Sequence, residues 1–234
     1  MPKIQVKGTI VSNDDKWIYE WFDMEATSPK DITKSIIEAN GQELEVEINS
    51  GGGSVFAGSE IYTALKDYKG NVTVKIVGIA ASAASVIAMA GNKVLISPTA
   101  QIMIHNVSSV ARGDYRDLQR EAEIIKNYNT SIANAYRLKT NMSQSELLKL
   151  MNNETWLNAQ QAKEKGFADE VMFDLGNQLI ASYGQSQMIP QEVIEKIRNS
   201  VKNPLNSIEN DTDIFMQQKA QAKLKLLNLG GNKS

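Results

Sequence analysis

Between Glu43 and Ile104 the chain alternates short apolar, β-branched runs with helical ones, and this order limits the fold more than any other feature. Glu43 to Ile48 alternates as a strand and stops at Asn49-Ser50-Gly51-Gly52-Gly53. Val55 to Leu65 has helical spacing, Val72 to Val77 reads as a strand, and Ser82 to Ala90 is a helix of small residues. Val94-Leu95-Ile96 and Gln101-Ile102-Met103-Ile104 follow as short strands around the turn Ser97-Pro98-Thr99. A strand–helix–strand order of this kind predicts a layered α/β domain with a largely parallel sheet, its strands buried by helices on both faces.

The flanking segments fit the same plan. Ile4 to Ile10 alternates and reaches the turn Asn13-Asp14-Asp15, and the aromatic run Trp17 to Phe22 is expected as a second strand. Ser28-Pro29 opens a helix through Ile32, Ile36 and Ile37, with proline suited to the first turn. Asp114 to Leu138 predicts one long amphipathic helix, and Ser143 to Met151 a second opened by the capping box Ser143-Gln144-Ser145-Glu146. Asn158 to Lys165 is a shorter helix ended by Gly166. The domain is expected to span 1–183. The stretch Gly184-Gln185-Ser186-Gln187 reads as a linker into a C-terminal extension, 184–234, with weak helical patterns at Gln191 to Val201 and Asp213 to Leu229 around Pro204.

Composition removes several function classes. A net charge of -2 supplies no basic stripe for nucleic acid. Zero cysteines exclude disulfides, thiol catalysis and cysteine–zinc sites. The best apolar run, Val74 to Ala90, is broken by Lys75, Gly78 and serines, so no membrane span is expected. The start, Met1-Pro2-Lys3-Ile4-Gln5-Val6, lacks the apolar stretch of a signal peptide, and the expected location is the cytoplasm.

Three segments carry chemistry. Ser82 follows a strand at the start of a small-residue helix, in the run Gly78-Ile79-Ala80-Ala81-Ser82-Ala83-Ala84-Ser85. A serine hydroxyl needs an adjacent base to become a nucleophile, and histidine is the usual base at neutral pH. The chain has one histidine, so any Ser-His mechanism uses His105, which closes the strand Ile102-Met103-Ile104. A serine in this position also caps helices, and Ser85, one turn on, is expected as a packing residue. Ala80 and Ala84 stand where a Gly-x-Ser-x-Gly elbow has glycines. The glycines after Ser50 let backbone N–H groups face a ligand, although by themselves they also make an ordinary strand-to-helix turn, and no Gly-Lys-Ser/Thr follows to form a phosphate loop. A triad further needs an acid, which spacing alone does not select among 27 acidic residues.

Taken in order, Ile48-Asn49-Ser50-x-Gly52-Gly53, Ala80-Ala81-Ser82-Ala83, Met103-Ile104-His105 and Glu154-Thr155-Trp156-Leu157-Asn158-Ala159-Gln160-Gln161-Ala162-x-x-x-Gly166-Phe167-Ala168-Asp169 resemble the Clp protease proteolytic subunit (ClpP) family. The resemblance covers about residues 4–175. It implies the spiral of βαβ units shared by ClpP and crotonases, with a long protruding helix (here Asp114 to Leu138) used for oligomerisation into rings. It also implies a serine endopeptidase with Ser82 as nucleophile, His105 as base, Glu154 as acid, and the amides of Gly53 and Ala83 as the oxyanion hole. An extended substrate would pair along Gly52, Gly53 and Ser54 and along Asn106 and Val107, with no metal or organic cofactor. The family usually has aspartate at Glu154, proline at Gly51 and methionine at Ala83.

Within the family, a first strand close to the amino terminus and the tail from 184 resemble the head maturation proteases of tailed phages, which cleave scaffold and capsid proteins. The alternatives are a housekeeping-type ClpP working with an ATP-driven unfoldase and, from another class, a crotonase-fold acyl-CoA enzyme. A scaffold protein that keeps the fold without activity is a third reading, against which Ser82 and His105 stand.

Overall fold

The central strands explain the architecture. The computed structural model describes residues 1–174; the expected linker Gly184–Gln187 and the helical patterns Gln191–Val201 and Asp213–Leu229 lie outside the described residues. Strand β1 (Lys3–Ile10), β3 (Leu44–Gly53) and β4 (Val72–Ala81) run parallel, with Val6 opposite Ile48, Val46 opposite Val74 and Ile48 opposite Ile76. These residues are fully buried and form the centre of the core. Helices α2 (Pro29–Ala39), α3 (Val55–Asp67) and α4 (Ala83–Ala88) pack in succession, with Ile32, Ile61, Leu65 and Ile87 turned inward.

The alternate strand positions carry charge. Lys3 pairs with Glu47, and Lys75 Nζ lies 2.6 Å from Glu45 Oε2, all partly exposed. One face of β1, β3 and β4 therefore lies under helices and the other presents ion pairs, which corrects the expectation of burial on both faces. A charge at every second position cannot be buried without a partner layer built to neutralise it.

A second correction concerns Trp17 to Phe22. Lys16–Trp21 is a helix, α1, none of whose residues is buried, supported by the Lys16–Glu20 pair at 3.5 Å. The edge of β1 that a second strand would need is taken by the two-residue β2 (Ala26–Thr27). Aromatic content suggested a strand, but no inside–outside alternation supported one.

The sheet order is β2-β1-β3-β4-β5-β8, with β5 at Lys93–Ile96 and β8 at Glu170–Val171. Strand β4 forks. Its first half pairs with β5 (Ile76 opposite Ile96), and its last residues pair with β6, Gln101–Ile104 (Ala81 opposite Met103). The fork begins where the β3–β4 register shifts, Ile48 facing Ile76 but Ser50 facing Ala80. Gly78 sits at this shift, and a Cβ there would lie 2.4 Å from Asn49 Oδ1, the atom that accepts from Ile79 N at 3.2 Å. Both β3 and β4 run several residues beyond the ends expected at Ile48 and Val77, because glycine and alanine continue the ladder where side-chain patterning fades.

The long helix is α5, Tyr115–Thr140, capped by Asp114, whose side chain accepts from Arg116 N and Asp117 N. Helix α6 (Gln144–Asn152) has the expected capping box at Ser143 and Glu146. It leads to β7 (Thr155–Asn158), antiparallel to β6, and then to α7 (Ala159–Glu164). Among the described residues no helix is long and apolar enough to cross a membrane.

Candidate active site

Three parallel strands end at the same edge of the sheet, and each delivers one part of the site. Strand β3 ends in Gly52-Gly53, β4 ends just before Ser82, and β6 ends just before His105. Open α/β sheets bind ligands at the carboxyl ends of their strands for this reason. The Ser82 N–H donates to Met103 O at 2.9 Å, at the last β4–β6 pair (Ala81 opposite Met103), so the nucleophile and the histidine are carried by adjacent strands in fixed register. Their side chains meet: His105 Nε2 lies 2.8 Å from Ser82 Oγ. Ser82 has φ 54° and ψ -124°, a backbone conformation that non-glycine residues rarely adopt and that surrounding contacts must hold. A serine that only caps a helix needs no such strain.

The glycine run wraps the other side of Ser82. Gly52 has φ +97°, and a Cβ on it would lie 2.8 Å from Ser82 Cβ and 3.0 Å from Ala83 N. The buried Ser50 hydroxyl donates to Gly8 O at 2.6 Å and accepts from Gly52 N at 3.1 Å. Gly53 and Ala83 line one cleft with Ser82 and His105, about 80 Å³ in volume, whose apolar side includes Val86, Ile132 and Tyr136. Ser85 is fully buried; its hydroxyl donates to Ser82 O at 2.6 Å and lies 2.8 Å from the Tyr136 hydroxyl.

The antiparallel β6–β7 ladder ends where Ile104 pairs with Thr155; His105 follows Ile104 and Glu154 precedes Thr155, both outside the ladder. The Glu154 side chain, on a residue with φ +46°, is exposed, and its Oε1 accepts from Trp156 Nε1 at 3.3 Å. Among the described residues no hydrogen bond joins it to His105. Of the residues expected to hold a substrate strand, Gly52 N–H is taken by Ser50 and Ser54 N–H by Ile10 O at 2.8 Å. Val107 N–H donates to Asn129 Oδ1 at 2.8 Å, and Asn106 Nδ2 to Asn152 Oδ1 at 2.8 Å. The side-chain oxygen of Asn106 is buried without a partner.

Asn129 and Tyr136 had not been singled out from sequence. They are buried, with Ala133, on one face of α5, and a polar residue inside the apolar stripe Asn129, Ile132, Ala133, Tyr136 was the available signal. Among the described residues no group of histidine, aspartate and glutamate is arranged to hold a metal ion.

With this geometry in view, a family model described as Clp protease matches residues 29–174. The ATP-dependent Clp protease proteolytic subunit of Deinococcus radiodurans is 33% identical over 133 residues, 56% of this chain and 65% of that protein, just under two thirds of its length. The ATP-dependent Clp protease proteolytic subunit 1 of Chlamydia muridarum is 30% identical over 161 residues, 67% of this chain and 78% of that protein. Among solved structures, a point mutant of ClpP1 from Listeria monocytogenes superposes with a TM-score of 0.61 over 73% of this chain and 91% of its own, at 23% identity, a likeness of fold.

Proposed function

This chain belongs to the Clp protease family of serine proteases, and we propose that it hydrolyses peptide bonds at the Ser82–His105 pair. The observation that carries the proposal is the 2.8 Å approach of Ser82 Oγ to His105 Nε2 inside a cleft shared with Gly53 and Ala83.

In this mechanism His105 Nε2 takes the hydroxyl proton as Ser82 Oγ attacks the carbonyl carbon of the substrate. The amides of Gly53 and Ala83 hold the oxyanion of the tetrahedral intermediate. The imidazolium returns its proton to the amide nitrogen, the amine product leaves, and an acyl-enzyme remains. Water then attacks the ester, giving its proton to His105, and collapse releases the carboxylic acid and restores the Ser82 hydroxyl. Glu154 orients the imidazole; support for this role is that Glu154 directly precedes Thr155, the β7 partner of Ile104, which directly precedes His105. With the Gly52, Ser54 and Val107 amides already donating inside the protein and Ser54 O accepting from Gly58 N at 3.0 Å, a substrate strand pairs through other main-chain groups of these segments.

The substrate class we assign is scaffold and capsid protein of a tailed phage, cleaved in the cytoplasm by rings assembled through α5; its support is the resemblance to head maturation proteases carried by the tail. The names of the curated relatives, ATP-dependent proteolytic subunits, favour a second reading in which an unfoldase supplies the substrate. Ser82→Ala and His105→Ala, each incubated with scaffold and capsid protein beside the unsubstituted chain, test the first reading. Both substitutions are expected to abolish cleavage and leave assembly intact. Retained processing by either purified variant would contradict the proposed roles. Cleavage of unfolded protein only when an unfoldase and ATP are added would favour the second reading.

A further inference from the structure

The Ser82 carbonyl and the Ala83 N–H are the two ends of one trans peptide plane, so they point in opposite directions. Whatever fixes the carbonyl oxygen therefore aims the N–H. Ser82 O accepts from Ser85 N at 3.0 Å, from Val86 N at 3.3 Å and, most closely, from Ser85 Oγ at 2.6 Å. A serine hydroxyl has one proton, and here Ser85 gives it to that carbonyl. In the 2.8 Å contact between Ser85 Oγ and Tyr136 OH, the tyrosine must then be the donor. The two hydroxyls form a directed chain, Tyr136 O–H to Ser85 O–H to Ser82 C=O, running from α5 to the back of the nucleophile's peptide. Burial pushes the Tyr136 hydroxyl well above its ordinary pKa, outweighing the opposing pull of Ser85, so its proton stays on.

We propose that Ser85 and Tyr136 are positioning residues for the oxyanion hole: by gripping the Ser82 carbonyl from behind, they hold the Ala83 N–H aimed into the cleft and polarise it. Hydrogen bonds arranged in series strengthen one another, and an amide whose carbonyl is already engaged is a better donor at its N–H. The grip also explains how Ser82 keeps its strained φ of 54° at the edge of a six-residue helix. Tyr136 belongs to α5, so the long helix sets the aim of an oxyanion donor through two hydroxyls. Neither hydroxyl touches the reacting atoms; both act through the peptide between Ser82 and Ala83.

The proposal rests on Ser82 being the nucleophile, and the test separates the two ideas. The full chain is reacted with a rhodamine-tagged alkyl fluorophosphonate, and the maximal labelling rate and the half-saturating probe concentration are measured separately. The same is done for Ser82→Ala, Tyr136→Phe, Ser85→Ala and the double variant Tyr136→Phe/Ser85→Ala, with melting temperatures alongside. Tyr136→Phe keeps the ring in its place against Phe167, at a centroid distance of 5.7 Å, and removes only the donor. The expected result is a fall in maximal rate of about fivefold for Tyr136→Phe and about tenfold or more for Ser85→Ala, with the half-saturating concentration unchanged within about twofold. The double variant should match Ser85→Ala, because Tyr136 has nothing to act through once the serine oxygen is gone.

A wild-type maximal rate in Tyr136→Phe, or losses that multiply in the double variant, would overturn the positioning role while the nucleophile reading stood. If Ser85→Ala does not fold, the rate and half-saturation of Tyr136→Phe decide alone. Labelling of the unsubstituted chain no faster than Ser82→Ala would remove the nucleophile and the positioning role together.

Discussion

Alanine at Gly52 drives a methyl group into the one place where the glycine turn touches the nucleophile. The added Cβ would lie 2.7 Å from Ala81 O, 2.8 Å from Ser82 Cβ and 3.0 Å from Ala83 N, against 3.4 Å for ordinary contact. Relief needs a shift of about 0.7 Å, and none of these three atoms is the end of a flexible side chain. The φ of +97° costs a further ~1–2 kcal/mol for a residue with a Cβ, and overpacking typically ~1–3 kcal/mol. Since misplacement of catalytic groups by about 1 Å costs roughly a hundredfold in rate, Gly52→Ala should lower fluorophosphonate labelling of Ser82 by about 30- to 100-fold. Gly51→Ala is the control: its Cβ meets nothing within 4 Å, and labelling should stay within about twofold of the unsubstituted chain. A folded Gly52→Ala protein that labels at the unsubstituted rate would refute this reasoning. So would equal losses in the two variants.

Other outcomes follow from the same structure. Glu154→Gln should slow labelling by about tenfold, less than His105→Ala, and an unchanged rate would mean that the acid lies elsewhere. Burial works to raise the Asp31 pKa, but the Lys16 ammonium at 2.5 Å and the N–H and O–H of Ser28 outweigh it and hold the carboxyl below its ordinary value. Because the folded pKa is the lower one, this stabilisation is present above the ordinary carboxylate range and is lost as pH falls through it. The melting-temperature gap between the unsubstituted chain and Asp31→Asn should therefore narrow as pH falls below the ordinary carboxylate range, and a gap independent of pH would contradict the assignment. Ile76→Ala, at a fully buried position of β4, should cost ~2–5 kcal/mol in denaturant unfolding, and a loss under about 1 kcal/mol would show that the core there can collapse around the missing atoms.

Much of the site could be read in the chain because its chemistry is sparse: one histidine, no cysteine, and a serine between a strand and a run of small residues. A largely parallel sheet was also legible, and the parallel run of β3, β4 and β6 within it is what brings Ser82 and His105 to one edge. The fork in β4 was not, since it depends on the register shift at Asn49 and Gly78, which leaves the apolar pattern almost untouched. Trp17 to Phe22 misled because aromatic residues favour strands only where a neighbouring strand receives them, and β2 fills that edge. The Ser85–Tyr136 contact spans 51 residues, and nothing local marks either hydroxyl as a partner of the other. Even the charged face of β1, β3 and β4 was visible in the alternation of Glu45 and Glu47 with Val46 and Ile48, although the layered α/β pattern argued for helices on both sides.

The most direct test of the central claim is mass spectrometry of the fluorophosphonate adduct on the intact chain and on His105→Ala. The account predicts one adduct, on the tryptic peptide between Lys75 and Lys93 and at Ser82, formed about a hundredfold or more slowly without the imidazole. An adduct at another residue, no adduct at all, or undiminished labelling of His105→Ala would contradict it.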